Sequence, residues 1–92
     1  MLNFFRNIAF TKLVKSADRL REFNFRRLPS TNEELFHVDV SDDRGNRIIF
    51  KMHKDASGTW RFVDPNLPPW IVSSESRLHE VIEEELQRSS VA

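Results

Sequence analysis

Between Phe36 and Phe62 the chain runs in stretches of alternating apolar and polar residues. The alternation is interrupted twice by the motif Asp-x-x-Gly, as Asp42-Asp43-Arg44-Gly45 and as Asp55-Ala56-Ser57-Gly58. Asp favours the first position of a type I turn, and Gly favours the left-handed position that closes a three-residue hairpin loop with a bulge. With Asp43, Arg44 and Gly45 as the loop, Val40 faces Ile48, Val38 faces Phe50 and Phe36 faces Met52. A two-residue loop would instead set Val38 against Lys51 and turn one strand's apolar set to water, which a half-buried sheet does not tolerate. With Ala56, Ser57 and Gly58 as the second loop, Met52 faces Phe62. A strand from about Arg21 to Leu28, stopped by Pro29, joins the same pattern and sets Phe25 opposite Val38. The middle of the chain is therefore predicted to be an antiparallel meander of four strands.

Helices are predicted on either side. From about Asn3 to Leu20, residues Leu2, Phe5, Ala9, Leu13, Ala17 and Leu20 gather on one side at helical spacing, and Lys12, Lys15, Asp18 and Arg19 on the other. Phe4 and Ile8 fall among the lysines. Either the first turns are irregular, or this helix exposes a second apolar stripe. Near the end of the chain, Ser73 or Ser74 can cap a helix in which Leu78, Val81, Ile82 and Leu86 share a face. Glu85 falls within that apolar arc and is expected to pair with Arg6 or with the inward-pointing Arg27, because an unpaired buried carboxylate is costly.

The fold predicted is α+β, a two-layer sandwich in the order α-β-β-β-β-α, with both helices on one face of the sheet. Its inner face would carry Phe23, Phe25, Phe36, Phe50, Trp60 and Phe62, so most of the eight phenylalanines have a structural purpose. The 92 residues suffice for one domain, with residues 89–92 fraying. Four strands in sequence leave two edges. The first, Arg21 to Leu28, is arginine-rich, and the last is followed by Pro65, Pro68 and Pro69, so strand addition is disfavoured.

Composition removes several functional classes. With no cysteine there is neither a disulfide framework nor a thiolate metal site, and a cytoplasmic location is expected. Arg6 and Lys12 interrupt the first apolar stretch long before the about 20 residues that span a bilayer, and no signal-peptide cleavage site follows it. Net charge is zero, but residues 1–30 hold seven basic and two acidic side chains, net +5, and the remainder seven and twelve, net −5. Within a small fold such a split reads as internal complementarity rather than a nucleic-acid arm.

Candidate chemistry is sparse. His37, His53 and Asp39 would share the outer face of the sheet, but Lys51 and Arg61 stand opposite the two histidines and oppose a metal ion there. Base stacking is not expected, since the aromatics face inward. No phosphate loop or nucleophile turn is present, and His79 among Glu75, Glu80 and Glu83 reads as a solvated helix face. Pro68 and Pro69 hold Trp70 at a defined place, either as the wall of a groove or as a seal on the end of the sandwich.

The sequence points to a non-catalytic protein-interaction module without a cofactor or metal. It would bind another protein or itself through Phe4, Ile8, Lys12 and Lys15, or through the Trp70 corner. The alternative is a small-ligand-binding or regulatory domain with a pocket near Trp70. Neither nucleic-acid binding nor membrane insertion is expected.

Overall fold

Both Asp-x-x-Gly segments fold as their sequence predicts. Gly45 and Gly58 adopt φ of 83° and 87°, and each donates its N–H to the carbonyl of the Asp three residues earlier, at 3.1 and 2.9 Å. The Asp side chains complete the loops: Asp42 accepts from the N–H groups of Arg44 and Asn46, and Asp55 from those of Ser57 and Thr59. Asp55 also accepts from the Ser57 hydroxyl and from Arg61.

The computed structural model describes residues 8–29 and 33–90. Five strands, β1 (Ala9–Ser16), β2 (Arg19–Leu28), β3 (Leu35–Ser41), β4 (Arg47–Lys54) and β5 (Trp60–Phe62), form one antiparallel sheet in sequence order. They are followed by a single turn of helix, α1 (Pro69–Val72), and by α2 (Glu75–Ser90). The expected register holds throughout: Phe25 faces Val38, Val38 faces Phe50, and Met52 faces Phe62.

The N-terminal helix and the count of four strands require correction. Residues 9–16 are a strand, so the sheet has five strands and the order is β-β-β-β-β followed by helix. Ser16 pairs with Arg19 across a two-residue turn in which Ala17 and Asp18 both have positive φ, 54° and 62°. These values mark a type I′ hairpin made without the usual Asn-Gly pair. The helical spacing of Leu13, Ala17 and Leu20 is coincidental. Leu13 and Leu20 point outward at 58% and 66% exposure, and the core-facing side of β1 is Phe10, Lys12, Val14 and Ser16. Aromatic and β-branched residues suit such a pleated surface, which decides against the helix. Helix α2 runs to Ser90, and residues 91–92 of the expected frayed tail lie outside the described residues.

Val14, Phe23, Phe25, Phe36, Trp60, Leu78 and Ile82 are buried in one core that joins the inner face of the sheet to α2. Phe10 stacks on Phe25 with ring centroids 4.6 Å apart, and Phe36 meets Trp60 edge-on at 5.2 Å. Helix α2 contacts both edge strands, β5 and β1, so the sheet curls around it as a half-barrel. Its side chains also close the free side of β5. The backbone N–H of Trp60 donates to Nδ1 of His79 at 3.1 Å, and that of Phe62 to Glu75 at 3.0 Å. The Trp60 indole donates to Glu83 at 2.9 Å. Burial opposes ionisation of Glu83, but the indole and the Lys54 ammonium outweigh it and hold the carboxyl below its ordinary range.

Glu85 pairs with Arg88 one turn along, and Arg27 with Glu34; Arg6 lies outside the described residues. Among the described residues no helix is long and apolar enough to cross a membrane.

Two predictions follow from the loops. Gly45→Ala meets no atom within 4 Å, so its cost is backbone strain alone, about 1–2 kcal/mol; Gly45→Asn, which tolerates this conformation, loses less in urea unfolding. The second concerns Asp55, held below its ordinary 3.8 by hydrogen bonds from Thr59, Ser57 and Arg61. A depressed carboxylate stabilises the fold above its unfolded pKa and loses that effect as pH falls through the folded one. The gap in Tm between the parent and Asp55→Ala is therefore expected to be full near neutral pH and to narrow below about pH 4.

Candidate functional site

Only part of the expected interaction stripe falls within the described residues. Ile8 is buried in the core at 8% exposure, and Phe4 lies outside the described residues. Lys12 projects on the core side of β1 between Phe10 and Val14, whereas Lys15 is exposed on the opposite face with Thr11 and Leu13. Trp70, in α1, is half-buried against the core and covered by Arg21, whose guanidinium lies 4.2 Å from the ring centroid. Arg21 is held by Asp43 at 3.1 Å and by the carbonyl of Ser16 at 3.2 Å. The Trp70 carbonyl accepts from the Ser16 and Ser74 hydroxyls. This corner is the seal of the half-barrel, and Trp70 lines none of the grooves described below.

The surface that remains available is the outer face of the sheet, on which no described helix packs. Strand register arranges it in rows. Thr11 of β1 stands beside Asn24 of β2, Asn24 beside Asp39 of β3, and Asp39 beside Ile49 of β4. The next row sets Arg26 beside His37 and His37 beside Lys51. An open trough of about 570 Å³ runs over both rows, lined by Thr11, Asn24, Arg26, His37, Asp39 and Ile49 among others. A smaller groove of about 210 Å³ lies between Ile49, Lys51 and Val63.

Polar side chains tie the trough's floor together across four strands. The Thr11 hydroxyl donates to the Asn24 carbonyl oxygen at 2.6 Å, and the Asn24 amide donates to Asp39 at 2.9 Å. Arg47 Nε reaches the same Asp39 oxygen at 3.3 Å. Asp39 is thus a carboxylate at 7% exposure on a face that is otherwise open, kept there by two donors. Leu13, Leu20, Ile49 and Val63, each more than half exposed, lie on the same face, with Ile49 directly beside Asp39.

Charge is distributed unevenly on this face. Arg47 is paired with Asp39, and Arg61 with Asp55 and Glu75, whereas among the described residues Arg26 and Lys51 have no acidic partner. Glu80 and Glu84 lie exposed on the helix layer behind the sheet. No group of three or more His, Cys, Asp or Glu side chains among the described residues has the geometry to hold a metal ion. The phenylalanine and tryptophan rings of the sheet pack on its other face.

The sequence had located His37, Asp39 and Lys51 on this surface. It had not located Thr11, Leu13 or Leu20, because those positions were assigned to a helix. The alternation of Thr11, Leu13 and Lys15 against Phe10, Val14 and Ser16 was the available signal, masked by Lys12 on the apolar side.

No protein-family model, curated protein or solved structure matches the chain.

Removing the Asp39 carboxylate leaves the Asn24 amide and the Arg47 guanidinium without their acceptor. Asp39→Ala is expected to cost about 1–3 kcal/mol in urea unfolding, whereas the exposed Glu22→Ala on the same face stays within about 0.5 kcal/mol.

Proposed function

We propose that this protein is a non-catalytic interaction module, acting in the reducing cytoplasm, whose contact surface is the outer face of its sheet. One observation carries the reading: Ile49 and Val63, 54% and 51% exposed, and Leu13 and Leu20 share a single uncovered face with unpaired basic side chains. Scattered exposed aliphatics are ordinary on any surface, but several on one face of a sheet, around a fixed polar floor, fit a partner-binding site. Ile8, one member of the stripe expected from the sequence, is buried at 8% exposure and offers no such contact.

A second reading, a small-ligand or regulatory domain, draws on the trough of about 570 Å³, a volume within the range of small-molecule sites. In that case the trough over Asp39 is the pocket.

Ile49→Gln with Val63→Gln separates partner binding from folding, because both side chains are exposed, no charge is set beside Asp39, and surface changes of this kind stay within about 0.5 kcal/mol. The doubly substituted protein is expected to keep its Tm and to lose, in affinity capture from a lysate of its source organism, a protein that the parent retains. Capture of the same proteins by both forms would refute the assignment of this face.

A further inference from the structure

The row Arg26, His37, Lys51 crosses three adjacent strands with no carboxylate between its members. Like charges set side by side on a sheet destabilise it, and folds usually interleave an acid. Here the neighbouring acid is already committed: Asp39 is taken up by Asn24 and Arg47. The other arginines of this face, Arg47 and Arg61, have their own carboxylates. Arg26 and Lys51, roughly 10 Å apart across two strand spacings, are left as uncompensated charges on either side of His37.

We propose that this row, together with the Ile49 and Val63 groove beside it, binds an acidic protein segment in which aliphatic side chains accompany the carboxylates. The inference rests on the outer face being the contact surface and adds the chemistry of the partner. Arg26 and Lys51 take carboxylates, and the groove between Ile49, Lys51 and Val63, with Asp64 at its border, takes an uncharged aliphatic side chain. A nucleic acid fits the same charges less well. The face presents aliphatic residues and, apart from the half-buried His37 and His53, no ring for base stacking, and the whole chain carries no net positive charge to draw in a polyanion. The protein's own acidic residues, many of them on α2, would repel a long phosphate backbone more than a short segment seated on one face.

The test uses fluorescence anisotropy with a labelled Glu-rich peptide containing interspersed leucines, its Lys-rich counterpart, and a single-stranded oligonucleotide. The Glu-rich peptide is expected to bind the full chain, more weakly as salt rises from about 0.05 to about 0.3 M, and the Lys-rich peptide not to bind. Charge reversal at Arg26→Glu with Lys51→Glu is expected to weaken binding by about tenfold or more, with the neutral pair Arg26→Gln and Lys51→Gln intermediate. Amide chemical shifts on titration should move at Arg26, His37, Ile49 and Lys51. Absence of peptide binding at low salt, binding unchanged by charge reversal, shifts confined to α2, or tighter oligonucleotide binding at this row would each overturn the proposal. If Ile49→Gln with Val63→Gln loses a captured partner while charge reversal does not, the contact face stands and its acidic specificity fails. If neither substitution matters, both fall.

Discussion

Sheet and helix are held as one body at Trp60. Its indole ring is fully buried between them, and both of its N–H groups end on α2, the backbone one at His79 and the indole one at Glu83. Glu75, His79 and Glu83 are four residues apart and so share one side of the helix. Together they supply the acceptors that a sixth strand would have offered to Trp60 and Phe62. A strand of only three residues persists as part of the sheet because a helix completes it. The curvature follows from the same attachment. With α2 fixed at β5 and its first turn tied through Ser74 to Ser16, the intervening strands must arch over the helix, which gives the half-barrel its closed, apolar side.

The parts of this fold that sequence revealed are those where local and long-range constraints agree. Each Asp-x-x-Gly loop admits one length, and that length is the only one that keeps Val38, Phe50 and Met52 on the same side as Phe25. Turn chemistry and core burial therefore give the same register independently. At the N-terminal end they do not agree. Phe10, Leu13, Val14, Ala17 and Leu20 fit a helix about as well as a strand, Lys12 interrupts the strand's inner side, and the turn at Ala17 and Asp18 lacks a glycine. Only pairing with β2, at Phe10 on Phe25 and Val14 beside Arg21, resolves the ambiguity, and pairing partners are not readable from a single segment.

That difference carried over into the candidate site. The face could be enumerated from β2 to β5, but its fourth polar member, Thr11, came from the misassigned segment. Arg47 is diagonal to Asp39 rather than opposite it, so its ion pair depends on side-chain reach and not on register. The charge split between the two parts of the chain has a related outcome. Some basic residues of the first part do neutralise acids of the second, as Arg19 and Arg21 do at Asp43. Arg26 does not, since strand alternation sends its side chain away from the helix layer and into the company of His37 and Lys51.

The two ends of the sheet are not equivalent. At β5 the outward N–H groups of Trp60 and Phe62 are consumed by α2, so no further strand can attach there. The opposite end is β1, eight residues long. Any assembly that extended this sheet edge to edge would have to join β1 to β1 and would then have no open end left. The closed edge at β5 thus sets a ceiling of two copies on such growth, and it denies the protein the repeating contact from which a fibre is built.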